Sequence, residues 1–239
     1  MTSTPKIVAL NKETHAKTTI SGTNLFEHIS QEHMLPVVVH EFVAAGGEFP
    51  VAFVKNSQNE TFQPVAILGL EAKQNLFIKE GKWLPLYVPR AIRNYPLVLV
   101  QEAPDSERLL VALDESSSRV TEGDGQPLFN EDGTESEFLA SRKQHMAEYL
   151  DLGQITRDFT AKLQELDLLS QQTLTITINN EPRTINGLYV VDEKKLNELS
   201  DEVFLQLRKT GFLTGIYAHL MSLQQTQKLV QKLAEASAK

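Results

Sequence analysis

The chain has no cysteine. Disulfides, thiolate zinc sites, iron–sulfur clusters and a cysteine nucleophile are therefore excluded, and the composition fits a reducing compartment. Long apolar runs are missing too. The stretch from Met1 to Leu10 holds only the short piece Ile7-Val8-Ala9-Leu10, too brief for the core of a signal peptide. Nothing approaches the roughly 20 apolar residues of a membrane-spanning helix. Positive charge is in the minority: 23 Lys and Arg stand against 31 Asp and Glu, a formal net charge of −8. Such a chain repels phosphate backbones unless Lys and Arg gather in a patch. The densest basic spots, Arg142-Lys143 and Lys194-Lys195, sit among acids. Together these absences predict a cytoplasmic protein without nucleic-acid binding or membrane insertion.

Familiar catalytic signatures are absent as well. There is no G-x-S-x-G nucleophile elbow. There is no P-loop and no dinucleotide fingerprint, since Gly123-Asp124-Gly125 lies in an acidic loop of the wrong charge for a phosphate cradle. The acids between Glu122 and Asp132 lack the EF-hand register and its terminal Glu, so they read as a solvated loop. No catalytic residue and no cofactor are identified.

What is present suits a well-packed globular protein: 239 residues, 41% of them hydrophobic. Apolar runs such as Pro50–Val54, Val65–Leu68, Asn75–Ile78, Pro96–Val100 and Leu109–Leu113 are separated by turn residues, a strand-like pattern. Their short links favour antiparallel meanders over βαβ crossovers. Val37 to Ala45 is ambiguous, with a β-branched start and a helix-like end before Gly46-Gly47. Thr134 and Glu137 form a capping-box pattern. Ile155, Phe159, Leu163 and Leu166 form an apolar helical stripe. Leu174, Ile176 and Ile178 alternate with threonines, and Asn179-Asn180 turns the chain toward a returning strand ending at Val191. Asp192 and Ser200 cap short helices. A last helix carries Leu213, Ile216, Tyr217, Leu220 and Leu223 on one face, with His219 as its hydrogen-bonded flank. The strand-rich first half and the helix-rich second half with one hairpin predict an α+β fold with a meandering, mostly antiparallel sheet. Residues 1–34 read as an N-terminal arm and 35–239 as a single α+β domain.

Ordered blocks in this chain resemble the SapC family of bacterial proteins. They are Glu41-Phe42 with Ala44-Ala45, Phe49–Phe53, Pro64–Leu70, Asn75-Leu76-Phe77, Gly81–Pro89 and Arg93–Leu97. Gly125–Phe129, Gly187 with Val191-Asp192-Glu193, and Tyr217–Leu223 complete the set. Asn94 and Leu97 stand where the family's pattern has a basic residue and Phe, which leaves a smaller basic cluster there. The resemblance implies an association with a bacterial surface layer, and genes neighbouring outer-membrane receptors and flavin-dependent halogenase-like proteins. It names no reaction. A peptide-transport permease of the same name is unrelated.

Two constellations carry chemical hypotheses. Trp83, Tyr87, Arg90, Arg93 and Tyr95 combine planar rings with guanidinium forks, which suit a ligand or a protein or peptide partner. The competing reading has Trp83 in the core and the arginines paired with acids. His28, His33 and His40 could gather around a metal, although no spacing among them matches a known site. The leading expectation is a non-enzymatic binding or accessory protein that recognises a protein or peptide. The alternatives are a metal-assisted enzyme using His28, His33 and His40, and a surface-layer structural component.

Overall fold

The computed structural model describes residues 4–23, 25–104, 106, 108–178 and 181–237. In chain order, β1 (Ile7–Ala9), β2 (Thr18–Ile20) and β3 (Met34–Pro36) precede α1 (Phe42–Gly46). Then β4 (Val51–Lys55), β5 (Phe62–Ile67), β6 (Ile78–Lys79) and β7 (Lys82–Trp83) lead to α2 (Arg90–Arg93). Next, β8 (Leu97–Gln101), β9 (Leu109–Asp114), β10 (Val120–Glu122) and β11 (Gln126–Pro127) lead to α3 (Glu137–Glu165). The hairpin strands β12 (Leu169–Ile178) and β13 (Glu181–Val191) are followed by α4 (Glu193–Asn197), α5 (Asp201–Lys209), α6 (Phe212–Ser222) and α7 (Thr226–Ser237). The fold is α+β. Asn179-Asn180, expected at the hairpin turn, lies outside the described residues.

Two units divide the chain: residues 1–28, 80–83 and 92–150 form the first, and 29–79, 84–91 and 151–239 the second. The first holds two three-stranded antiparallel sheets, in the orders β1-β9-β8 and β10-β2-β11. The segment expected as an arm thus supplies β1 and β2 to these sheets, and residues 35–239 contribute to both units. Ile20, Leu97, Leu113, Leu128, Leu139 and Met146 make the apolar interior of the first unit. The cap of α3 differs from the Thr134 pattern. Ser136 is the residue in reach, its Oγ accepting from the Leu139 N–H at 3.1 Å and donating to the Pro127 carbonyl at 2.6 Å. Thr134 is instead held by Asp132, through N–H···Oδ1 at 2.9 Å.

The second unit is built on a five-stranded antiparallel sheet, β12-β13-β4-β5-β3. The ambiguous stretch from Val37 resolves as a short 3-10 turn at Val39–Glu41 running into α1. Phenylalanines dominate this interior. Phe42 meets Phe159 edge-on at 5.9 Å, and Phe49 meets Phe77 at 4.8 Å. Such aromatic pairs add about 0.5–1.5 kcal/mol beyond the area they bury.

The helices turn differently from their apolar stripes. On α3, Ile155 is 40% exposed, while Thr156 and Thr160 are buried beside Phe159 and Leu163. The threonines tolerate this because their hydroxyls bond within the helix, Thr156 to the Leu152 carbonyl at 2.7 Å and Thr160 to the Arg157 carbonyl at 3.1 Å. Thr156 Oγ1 also accepts from the Val39 N–H at 3.0 Å. On α6 the inward face is Gly215, Ile216, His219 and Ser222, and Leu220 is only half-buried. Close approach explains the rotation. A Cβ on Gly215 would stand 2.6 Å from Val39 Cγ2, and one on Gly46 would stand 2.9 Å from Ser222 Cβ.

Candidate functional site

The five residues singled out on chemical grounds divide between the units. Tyr87 and Arg90 belong to the second, and Trp83, Arg93 and Tyr95 to the first.

In the second unit, residues 84–90 form a strap tied down at four points. The Leu84 N–H donates to the Phe77 carbonyl at 3.0 Å. The Leu86 N–H donates to Glu48 Oε1 at 3.3 Å. The Tyr87 hydroxyl and the Arg90 N–H both donate to Glu41 Oε1, at 2.6 and 2.7 Å. Glu41 itself is 2% exposed. Its other oxygen accepts from the Val38 N–H at 3.1 Å, which also closes the 3-10 turn. A buried carboxylate is tolerated where it accepts this many bonds. Anchored in this way, the strap presents apolar side chains to solvent: Leu84 is 50% and Leu86 96% exposed.

In the first unit, Trp83 is 3% exposed, an interior ring 6.0 Å from the Phe26 ring. Tyr95 is half-buried and stacks face to face on His28, with centroids 3.5 Å apart and planes 11° apart. Its hydroxyl donates to Asp114 Oδ2 at 3.0 Å, and its carbonyl accepts from Arg119 Nη1–H at 2.7 Å. Burial is the main reason the Tyr95 hydroxyl is pushed above its ordinary pKa. Burial also works to raise the Asp114 carboxyl. The bonds it accepts from Ser116, the Lys6 N–H and Tyr95 outweigh that and hold it below the ordinary range. His28 is pushed down from 6.5 to about 4, first by burial and then by the Arg119 charge, against an opposing pull from Asp114.

The three histidines considered as metal ligands have separate settings. His28 stacks on Tyr95, the His33 carbonyl accepts from the Leu68 N–H at 2.8 Å, and the His40 side chain is exposed. Among the described residues no group of three or more His, Asp or Glu side chains could hold a metal ion.

Sequence reasoning missed two organising residues. Glu41 was legible as a lone carboxylate in the apolar stretch Val37–Ala45, a position that demands partners. Arg119, which carries Tyr95, gives no local signal, because Ser117 and Ser118 before it and Val120 after it read as an ordinary turn entering a strand.

No curated protein and no solved structure matches the chain. A family model does: SapC covers residues 10–229 of the 239, and the chain belongs to the SapC family.

Proposed function

We propose that the protein is a non-enzymatic binding or accessory protein that recognises a protein or peptide through the strap of residues 84–90. The observation that carries this reading is Leu86, 96% exposed on a backbone held by Glu41 and Glu48. A large apolar side chain held open to water contributes nothing to the fold, and in a partner's pocket it would gain about 1.5–3 kcal/mol. Because the strap is already ordered, association costs less conformational entropy than docking a mobile loop. Val43 on α1 and Met221 on α6, 67% and 71% exposed, add apolar surface to the same unit. Tyr87 and Arg90 flank the leucine with a ring and a guanidinium fork suited to peptide groups.

A photo-crosslinking residue placed at position 86 of the full-length protein in its native cells tests the reading. It should capture one defined protein or peptide, and the same probe at Asn56, in the β4–β5 turn, should not. Leu86→Asp should weaken the complex at least about tenfold and leave the melting temperature unchanged. Equal capture at both positions, or full affinity in Leu86→Asp, would overturn it.

A further inference from the structure

The five-stranded sheet of the second unit has two edges, β3 and β12, and they differ in kind. A sheet edge presents a row of backbone donors and acceptors with which another strand can pair. Folded proteins keep such edges short, cover them, or break them with proline, charge or a bulge. β3 follows that rule: it is three residues long and ends in Pro36. β12 is ten residues long, Leu169–Ile178, with neither a proline nor a charged residue. Its irregularity is a shift of register between Gln172 and Leu174. Gln171, Gln172 and Thr173 are exposed. The helix α7 comes beside β12, but among the described residues no backbone hydrogen bond joins the outer edge of this strand to another segment.

The register of the hairpin points to the same edge. β13 pairs with β4 at Leu188 and Tyr189, whereas its pairing with β12 continues outward as far as Glu181 opposite Ile178. From Leu174 opposite Ile185 onward, the hairpin is therefore a two-stranded ribbon that, among the described residues, no third strand supports. Two strands by themselves are marginal in water, and a third makes such a ribbon stable.

We propose that β12 pairs antiparallel with β12 of a second copy of this chain, joining two hairpins into a four-stranded sheet across a twofold axis. The sequence of the edge selects this occupant. Antiparallel pairing about an axis at Ile176 sets Ile176 opposite itself, Thr175 opposite Thr177 and Leu174 opposite Ile178. Threonine meets threonine and an aliphatic residue meets an aliphatic one, the kinds of pair that stabilise neighbouring strands. Like charges directly opposite each other would oppose the contact. β12 brings none, although the whole chain carries −8, so two copies approach with least repulsion along this uncharged stretch. Each copy supplies the third strand that the other's ribbon lacks. The contact uses the same edge on both chains and closes on itself as a dimer. It does not involve the strap of residues 84–90.

Sedimentation of the full-length chain over a concentration series tests the contact, and should show a dimer with a dissociation constant below about 50 μM. Ile176→Lys and Ile176→Glu each set like charges opposite one another and should weaken the dimer at least about tenfold. Mixed together, the two variants should pair about fivefold more tightly than either does alone, a rescue that a misfolded hairpin would not give. Because the chain has no other cysteine, Ile176→Cys should form a disulfide between copies under mild oxidation. Asn56→Cys, in the β4–β5 turn, should not. Leu86→Asp should leave the dimer intact, which keeps this test apart from that of the strap. A weaker or absent dimer overturns the proposal, even if the edge then binds an extended peptide of another protein. So does a dimer indifferent to either charge at position 176, a mixture that pairs no better than its components, or equal crosslinking at position 56.

Discussion

The two units differ at one point in their polar interiors: among the described residues, the orphaned buried polar atoms all lie in the first. In the second, each buried polar side chain is a completed bridge. Glu41 accepts three bonds. The His219 imidazole, 0% exposed, donates from Nδ1 to the Val51 carbonyl at 2.8 Å and accepts at Nε2 from the Val191 N–H at 3.0 Å. Ser222 accepts from the Val51 N–H at 2.9 Å and donates to the His219 carbonyl at 2.6 Å. In the first unit Asp114 and Ser136 are bridged in the same way, but among the described residues His28 Nδ1, Asn94 Oδ1 and His145 Nδ1 lack a hydrogen-bond partner. Titration alone does not separate the two settings, since His28 and His219 are both pushed down to about 4. What separates them is satisfaction: both ring nitrogens of His219 are bonded, while His28 Nδ1 has no hydrogen-bond partner among the described residues.

The sharpest way to break this contrast is His219→Ala. It would strand the Val51 carbonyl and the Val191 N–H and leave a cavity against Phe53, whose ring lies 5.0 Å away. The expected loss is about 3–5 kcal/mol, read from urea midpoints. A loss near zero would mean that the bridge is ornamental.

The next effect is acid lability. Folded His219 stays neutral down to about 4, mainly through burial, while the imidazole of the unfolded chain takes a proton below 6.5. The unfolded state therefore binds more protons in that window. The stabilisation is complete above pH 6.5 and is lost as pH falls toward 4, and the drop from 6.5 to about 4 corresponds to about 3 kcal/mol. His28 acts in the same direction. His28→Phe should therefore flatten part of the decline in urea midpoint between pH 7 and pH 4 and leave the rest. A midpoint constant across that range would contradict the burial of both rings.

A smaller effect sharpens the reading of α6. Leu220 is half-buried and lies beside, not on, the inward face. Leu220→Ala should cost about 1–2 kcal/mol by equilibrium unfolding, below the 2–5 kcal/mol range of a fully enclosed leucine. Ile216→Ala, at a 0% exposed position, should reach that range.

Much of the architecture was legible from the sequence. Alternation and turn residues marked β4, β5, β8 and β9, and two of the three expected caps hold. Asp192 Oδ1 accepts from the Lys194 and Lys195 N–H groups, and Ser200 Oγ accepts from the Val203 N–H. Periodicity misjudged the rotation of α3 and α6, because it weighs apolarity and ignores two other routes to burial. Thr156 satisfies its hydroxyl within its own helix, and Gly215 is buried because only a missing side chain lets Val39 approach. The candidate site was legible only in pieces. Tyr87, Arg90, Arg93 and Tyr95 stand close in sequence, but their partners Glu41, Asp114 and Arg119 come from distant segments that no spacing rule connects.

The imidazole of His219 has a further consequence for how the molecule opens. Strands β13 and β4 pair at Leu188 with Val54 and at Tyr189 with Phe53. Two residues further along, at Val191 and Val51, the ring of a helical residue stands in for the missing rung. The hairpin is thus sewn to the sheet partly by a stitch that belongs to α6. Lifting that helix undoes the seam, so helix and hairpin breathe as one cooperative piece, and the Val191 amide proton exchanges with water only when both let go.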